Sequence, residues 1–432
     1  MASEMKNGAL QLDDETLNEI SRGMIYSELS IIDNKEGTLS EVGKANPWHV
    51  QAMKLITGSK ERAHLPLREI LKEDLGGLIL DCELDAKGFT KGGHFLDTQG
   101  YIAHNDESIV ISFRCSTTLS DWMTNLTLTT SAWELEDIEQ GYSGCCSGLS
   151  DLFCQGDSYK PRVHTGMYNN FLAVLPEVKI HVDPFLTEDE KPRKLYIVGH
   201  SLGAGIANMM ATYFLLEYNW HVLPQTLVSV TAGSPRTICK SMKAVTDEKR
   251  KEFGKKVCFY RIVKGTDAVV RVPPRILGFE HIVEPIIIED DGQILMRSKG
   301  DDFKTSLNEL LYTTKQNNLK LSEDEFQQHR ASVDEDDEDD EEEDEKYNRL
   351  VSKVPKTFRD HMPDFYLKPI FNEQSVRKVP NLTEVRLKSD TQPIQNIQTN
   401  AKTEKIQKQW VPKMFRQKKS ARRIQKVGPT YF

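Results

Sequence analysis

One stretch near the middle of the chain constrains the fold more than any other. An apolar segment, residues 195–198, runs directly into Gly199-His200-Ser201-Leu202-Gly203 and then into a helix-like segment, residues 204–218. Because glycines carry no Cβ atom, the chain can turn sharply from strand to helix there and hold Ser201 at an exposed apex. The pattern predicts a strand–turn–helix unit that presents a nucleophile. Its alternative is an ordinary glycine-rich turn with a capping serine.

The segments on either side continue this alternation of strands and helices. Short apolar strands separated by helices are typical of a mostly parallel sheet with helices on both faces, so we predict an α/β fold. An Asp-Asp-Gly turn at residues 290–292 further predicts a hairpin late in the chain. The predicted strands are residues 109–113, 195–198, 227–231 and 257–263, the predicted helices are 171–178 and 204–218, and the hairpin strands are 282–289 and 293–296.

Composition divides the 432 residues into three parts. Residues 1–75 are polar with apolar residues at helical spacing, which predicts a helical N-terminal extension in which we find no candidate chemistry. Residues 76–372 carry the strand and helix alternation and form the predicted main domain, interrupted by a charged insertion at about 299–350. Residues 373–432 form a basic tail.

The formal net charge of −9 hides two oppositely charged segments. Residues 334–345 are twelve consecutive acidic residues, whereas residues 374–432 contain fourteen Lys or Arg and three Asp or Glu. Like charges in a row repel, so we predict that the insertion and the tail are disordered. Ten cations of the tail, the first Lys402 and the last Lys426, are interleaved with aromatic residues and suit an anionic membrane surface. The alternatives are a nuclear-import signal, binding to the acidic segment of the same chain, and solvated disorder.

The location of the protein is predicted from what the sequence lacks. The first thirty residues show no basic segment followed by an apolar block, and no eighteen apolar residues run together, so we expect a cytoplasmic protein with at most peripheral membrane contact. Seven cysteines, an odd number, fit reduced thiols. Cys145, Cys146 and Cys154 cluster, but no histidine lies at zinc-finger spacing, so no metal site is predicted.

A serine nucleophile needs a histidine base, a carboxylate that orients the base, and donors for the oxyanion. In α/β-hydrolases the acid and then the histidine follow the serine along the chain. Asp267 follows the predicted strand at residues 257–263 and is the acid candidate, with a loop-capping aspartate as the alternative. The histidine candidates farther along are His281 and His361.

Six motifs in order resemble the class 3 (fungal-type) lipases of the α/β-hydrolase superfamily, over roughly residues 76–370. The resemblance implies the α/β-hydrolase fold, hydrolysis of lipid esters, and no metal or organic cofactor. The motifs are Phe113-Arg114-Cys115-Ser116-Thr117, Asp121-Trp122, Val163-His164-Thr165-Gly166, Gly199-His200-Ser201-Leu202-Gly203, Gly233-Ser234-Pro235-Arg236, and Arg261-Ile262-Val263 with Asp267.

The resemblance also implies which histidine acts. The segment that begins Asp360-His361 resembles the block carrying the family's catalytic histidine, whereas His281 resembles a position that is not catalytic, so His361 is the predicted base. Asp267 and His361 are 94 residues apart, and most of the excess lies in the charged insertion. Such an insertion costs little because the entropy of loop closure grows only logarithmically with length.

Further site residues are implied by the same resemblance. The oxyanion donors are the backbone N–H of Leu202 and the backbone N–H and hydroxyl of Ser116, and Cys115 stands where the family has glycine. Leu119, Trp122 and Met123 share one face of a short amphipathic segment, residues 118–126, that resembles the family's lid. A fixed surface helix is the alternative interpretation of that segment.

Together these observations predict a mono-, di- or triacylglycerol lipase that uses Ser201, His361 and Asp267 and meets its lipid substrate at an interface. Phospholipase A1 activity is the alternative, and a non-catalytic scaffold that keeps the hydrolase fold is a lesser one. No nucleic-acid partner is expected. The sequence predicts neither the acyl preference nor the oligomeric state.

Overall fold

The strand that leads into Ser201 lies inside a ten-stranded sheet in the computed structural model of the chain. The structure describes residues 5–6, 9–10, 12–32, 47–58, 65–90, 95–115, 129–134, 161–296, 347–349, 351–352 and 356–377. The chain divides into two units, Met1–Asp390 and Thr391–Phe432, and all described residues belong to the first.

The strands are β1 (Met5–Lys6), β2 (Ala9–Leu10), β3 (Ile79–Phe89), β4 (Phe95–His104), β5 (Ser108–Phe113), β6 (Thr130–Ala132), β7 (Arg162–His164), β8 (Lys194–His200), β9 (Thr226–Ala232), β10 (Ile238–Cys239), β11 (Val257–Lys264), β12 (Phe279–Glu280), β13 (Pro285–Ile288) and β14 (Ile294–Met296). The helices are α1 (Asp14–Glu28), α2 (Pro47–Thr57), α3 (Leu67–Glu73), α4 (Thr165–Thr187), α5 (Leu202–Glu217), α6 (Lys240–Phe253), α7 (Lys356–Arg359) and α8 (Pro363–Arg377).

The centre of the large sheet is parallel. Its order is β1-β2-β14-β13-β11-β9-β8-β5-β4-β3, and the five strands from β13 to β5 pair in parallel. Antiparallel pairs flank them, namely the β13–β14 hairpin on one side and β3–β4 on the other. A small antiparallel sheet, β12-β10-β7-β6, lies apart from it. The predicted α/β-hydrolase architecture with a mostly parallel central sheet is therefore confirmed.

Helices cover both faces of the sheet. Along β8, Tyr196 and Val198 belong to one apolar cluster, whereas Leu195 and Ile197 belong to another. The first cluster contains the apolar faces of α1, α2, α3 and α8, and the second contains those of α4, α5 and α6. Since alternate side chains of a strand point to opposite faces, the uninterrupted apolar run of β8 reflects burial on both sides.

The N-terminal helical segment is part of the core. Helix α1 begins after Asp13, whose side chain accepts a hydrogen bond from the Thr16 backbone N–H at 2.8 Å. Its residues Leu17 and Met24 are fully buried in the cluster shared with β8 and β9. The Ser21 hydroxyl donates to the side-chain carbonyl of Gln374 at 2.8 Å, which connects α1 with α8. The division at residue 75 stays a prediction.

Two predicted segments fall mostly outside the described residues. Of the charged insertion only residues 347–349 are described, and of the basic tail only residues 373–377, which are the end of α8. Within the described parts of the chain, no helix is long and apolar enough to cross a membrane.

Candidate active site

The turn between β8 and α5 holds Ser201 in a strained conformation. Ser201 has φ 57° and ψ −124°, and it is the only non-glycine residue with positive φ among those described. A Cβ atom at Gly199 would collide with the backbone of Gly203, and one at Gly203 would collide with the carbonyl oxygen of Phe113. The turn therefore requires both glycines, as the sequence predicted. The Ser201 N–H donates to the carbonyl of Ala232 at 3.0 Å, which fixes the turn to β9.

Ser201, His361 and Asp267 form one line of hydrogen bonds. The Ser201 hydroxyl lies 2.9 Å from His361 Nε2, and His361 Nδ1 lies 2.8 Å from Asp267 Oδ2. All three side chains are buried. With Asp267 ionised, His361 donates its Nδ1–H to the carboxylate, so Nε2 is free to accept from the serine hydroxyl. The arrangement can remove a proton from Ser201.

Two further groups hold the Asp267 carboxylate. The hydroxyl of Tyr366 donates to Asp267 Oδ2 at 2.5 Å, and the Val269 backbone N–H donates to Oδ1 at 2.8 Å. These donors fix the carboxylate at the start of the loop that follows β11. Burial and the nearby Asp267 raise the pKa of Tyr366, which keeps the phenol a donor. The sequence alone predicted no role for Tyr366.

Asp360, next to the histidine, fastens this segment to the Asp267 loop. Its Oδ2 accepts from the Thr266 backbone N–H at 2.7 Å, from the Thr266 hydroxyl at 2.9 Å and from Lys356 Nζ at 2.8 Å. In the Asp360-His361 pair, Asp360 therefore anchors the segment that contains both residues, and His361 faces Ser201.

The other predicted site residues divide into two groups. Leu202 is the first residue of α5, where backbone N–H groups have no acceptor within the helix, so its N–H is free to serve a ligand. Ser116, Leu119, Trp122 and Met123 lie outside the described residues.

This geometry agrees with a family match. Residues 110–277 match the sequence model of the family described as Lipase (class 3). This part of the chain, less than half of its length, is similar to the class 3 lipases. The match includes Ser201 and Asp267 but ends before His361, so the histidine is located by the structure and by the Asp360-His361 motif alone.

Two curated relatives of the chain are fungal lipases. A secreted mono- and diacylglycerol lipase of Fusarium solani is 28% identical over 185 residues, 42% of this chain and 44% of that protein. A second one, from Malassezia restricta, is 27% identical over 147 residues, 34% of this chain and 44% of that protein. The chain thus spans less than half the length of these relatives. Their names call them secreted, so they lend no support to a cytoplasmic location, which stays a prediction.

Among solved structures, the mono- and diacylglycerol lipase from Aspergillus oryzae is similar to the chain, with 18% identity and a TM-score of 0.41. The similarity covers 67% of this chain and 88% of that one.

His281 lies away from the hydrogen-bonded line of Ser201, His361 and Asp267. Its ring is bonded through Nε2 to the carbonyl of Val270 at 2.9 Å, in the loop that carries Asp267. Burial lowers the pKa of His281, and Arg261 and Arg236 lower it further, so the ring is neutral and donates. This hydrogen bond of His281 holds the loop that carries Asp267.

A group of buried polar side chains lies behind His361. The ring of His200 stacks on that of His361, with centroids 4.8 Å apart and 26° between the planes. Glu28 Oε1 lies 3.9 Å from His200 Nδ1, and Glu28 Oε2 lies 3.8 Å from His49 Nδ1. His49 Nε2 is in turn 3.6 Å from the sulfur of Cys115. Glu28 and His49 come from α1 and α2, within the N-terminal segment for which the sequence predicted no candidate chemistry.

Burial determines the charges in this group. It raises the pKa of Glu28 to about 8, with nearby Asp364 adding to the effect, and it lowers the pKa of His49 to about 3. The pKa of His200 is also lowered by burial and then by His361. Burial raises the pKa of the Cys115 thiol to about 12. At neutral pH these groups are mostly uncharged, which avoids a fixed charge beside His361.

We expect Glu28 to make the protein less stable as pH rises. Its ordinary pKa is 4.5 and its folded value is about 8. Between these values the folded state holds a proton that the unfolded chain releases, so the free energy of unfolding falls with increasing pH. In Glu28→Gln, the decrease in the free energy of unfolding should be smaller by up to about 1.4 kcal/mol per pH unit. Urea unfolding of both proteins at pH 5, 6.5 and 8 measures it.

The control is Glu15→Gln, on the exposed side of the same helix, where the glutamate side chain is 84% exposed. That variant should follow the wild-type pH dependence. Parallel curves for wild type and Glu28→Gln would contradict a proton held by Glu28.

Proposed function

We propose that the chain is a serine hydrolase that cleaves acyl esters of glycerolipids, namely mono-, di- or triacylglycerols. The observation that carries the proposal is the hydrogen-bonded line from Ser201 through His361 to Asp267. The match of residues 110–277 to the class 3 lipase model supports it, as do relatives named as mono- and diacylglycerol lipases.

In the proposed reaction the Ser201 oxygen attacks the acyl carbonyl while its proton passes to His361 Nε2. Asp267 stabilises the imidazolium that forms. The tetrahedral intermediate collapses, the bond to the glycerol oxygen breaks, and His361 protonates that oxygen as the alcohol leaves. Water, deprotonated by His361, then attacks the acyl-enzyme, and the bond to the Ser201 oxygen breaks as His361 returns the proton to it, which releases the fatty acid and restores the serine hydroxyl. No metal or cofactor takes part in these steps.

The oxyanion would be held by the Leu202 N–H and by Ser116. Removing one such donor typically costs about 2.7–4 kcal/mol of transition-state stabilisation. Leu119, Trp122 and Met123 would form the apolar face of a lid that covers the site in water and contacts a lipid surface. The cations from Lys402 to Lys426 would add peripheral attraction to anionic lipids.

Gly233 gives a test of how closely His361 must be placed. A Cβ atom at Gly233 would lie 2.8 Å from His361 Cε1 and 2.9 Å from Nδ1, so alanine must push the ring away. Because misplacement of about 1 Å can cost 10²-fold in rate, we expect Gly233→Ala to lower kcat by about 10²-fold. Hydrolysis of a soluble acyl ester measures the change.

Gly254→Ala is the matched control for that variant. Gly254 has φ +56°, close to the +57° of Gly233, and its Cβ would meet nothing within 4 Å. In both variants an alanine must adopt a positive φ, which strains the backbone, but only Gly233→Ala should lose activity. An equal loss in both would show that backbone strain, and not the position of His361, is responsible.

The substrate class is tested with a panel of mono-, di- and triacylglycerols and phospholipids, using wild type and Ser201→Ala. Release of fatty acid from acylglycerols by the wild type alone is the expected result. Release from phospholipids only, and from the first position of glycerol, would make the enzyme a phospholipase A1. No release from any lipid by folded wild-type protein would contradict the proposal and favour the non-catalytic scaffold.

A further inference from the structure

Three side chains of types that can bind metal ions, a thiol, a carboxylate and an imidazole, lie together at the edge of the large sheet. Cys82 lies on the edge strand β3, and Glu177 and His181 lie one turn apart on α4. Glu177 Oε1 is 3.5 Å from Cys82 Sγ and 3.2 Å from His181 Nε2. One ligand atom from each residue lies within 4.8 Å of the other two. Glu177 and His181 share one face of α4 because they are four residues apart.

The spacing suits tetrahedral zinc. Bonds of about 2.3 Å to sulfur and about 2.1 Å to nitrogen and oxygen place neighbouring ligand atoms of a tetrahedron about 3.6 Å apart for sulfur and oxygen, and about 3.4 Å for nitrogen and oxygen. The corresponding distances here are 3.5 Å and 3.2 Å. For the third pair, the Cys82 sulfur and a ring nitrogen of His181 lie within 4.8 Å, so side-chain rotation has to supply the rest of the tetrahedral spacing.

The charge of the surroundings also favours a cation. Glu177 has no Lys or Arg partner within the described residues, and its hydrogen-bond partners there are Cys82 and His181. Asp81 and Glu83 flank Cys82 along the strand, and both add to the rise in its pKa, which burial and then Glu177 bring to about 11. The Glu177 side chain is 52% exposed and that of His181 29%, so a water molecule can reach a fourth position.

We propose that Cys82, Glu177 and His181 form a zinc-binding site, with water as the fourth ligand. The ion joins β3, at the edge of the sheet, to the helix that packs against it. Thiolate, imidazole and carboxylate are the ligands that Zn²⁺ takes in proteins. The site shares no residue with the hydrogen-bonded group of Ser201, His361 and Asp267. A test of zinc binding is therefore independent of the proposed hydrolase activity.

Binding releases a proton. The Cys82 thiol is protonated at neutral pH, so formation of the Zn–S bond breaks the S–H bond and transfers its proton to solvent. No electron is exchanged, because zinc stays divalent and the sulfur becomes a thiolate ligand.

The test is a titration of the full-length reduced protein with Co²⁺ as a spectroscopic substitute for Zn²⁺, followed by displacement with Zn²⁺. We expect a sulfur-to-cobalt charge-transfer band that saturates and is lost in Cys82→Ser. In His181→Asn the band should persist with at least about tenfold weaker binding, since even residues that only support metal ligands contribute that much. Cys258→Ser removes another partly buried cysteine, on β11, and should leave the titration unchanged.

A cobalt band of equal size and affinity in wild type, Cys82→Ser and His181→Asn would overturn the proposal and assign the band to other thiols. Absence of any band in the wild type would overturn it as well. Circular dichroism of each metal-free variant shows whether it is folded. If Cys82→Ser does not fold, His181→Asn decides the question, because unchanged affinity in that variant rejects the site.

Discussion

Replacing Ser201 with alanine is expected to lower kcat for acyl-ester hydrolysis by about 10⁶-fold while the protein stays folded. The reason is that the Ser201 oxygen, 2.9 Å from His361 Nε2, is the atom that we propose forms the acyl-enzyme, and alanine offers no replacement. The remaining activity should reflect only substrate binding and oxyanion stabilisation. Steady-state rates with a soluble ester, checked against circular dichroism, measure the effect.

Ser112→Ala is the matched control for this variant. Ser112 is a fully buried serine on β5, and its hydroxyl donates to the carbonyl of Tyr26 at 2.9 Å. Its removal should cost stability, about 1 kcal/mol or more, but little activity. If Ser201→Ala hydrolysed esters as fast as Ser112→Ala, Ser201 would not be the nucleophile.

Replacing His361 with alanine is expected to cost about 10⁴- to 10⁶-fold in kcat. This histidine connects Ser201 with Asp267, and among the residues that the structure describes it is the base that is hydrogen bonded to the serine hydroxyl. The prediction is specific to His361, because the other candidate histidine, His281, is hydrogen bonded to the Val270 carbonyl instead. A pH–rate profile of the residual activity should lose the limb that belongs to the base.

His281→Ala is the comparison that decides between the two histidines. We expect it to lower stability, because the Val270 carbonyl loses its partner, with a far smaller loss of turnover than in His361→Ala. The assignment would be wrong if His281→Ala abolished turnover while His361→Ala, equally well folded, retained it.

The sequence predicted the parts of the site that local motifs describe. Glycines at 199 and 203 indicated the turn, and the structure shows which backbone atoms their Cβ atoms would strike. The Asp360-His361 motif indicated His361 as the base, although His361 lies 94 residues after Asp267. The charged insertion between the two residues does not prevent their contact. The catalytic roles of these residues, the oxyanion donors and the lid stay predictions.

Glu28 shows what the sequence analysis missed and which signal was present. The apolar spacing of α1 predicted a helix but not the surface that it covers. Glu28 lies four residues after Met24 and eight after Ile20, on the stripe that is buried against the sheet. A glutamate on an apolar stripe indicates a buried polar contact, yet only the tertiary structure shows that His200 and His49 provide its surroundings.

Strands rich in polar residues were the main omission in the fold. The parallel centre was predictable because strands buried on both faces are continuous apolar runs. In contrast, β3 and β4 at one edge carry many polar residues, and no strand was predicted before residue 109. Helix α4 is also longer than the predicted 171–178, because Pro176 and Pro184 interrupt its helical pattern without ending the helix.

The central claim is that Ser201 is an activated nucleophile. It is tested most directly by treating the folded protein with a fluorophosphonate probe in the presence of lipid or detergent and locating the adduct by peptide mass spectrometry. The account predicts one adduct, on Ser201, that is absent from His361→Ala. Folded wild-type protein that takes up no probe at Ser201, under conditions that expose the site, would contradict it.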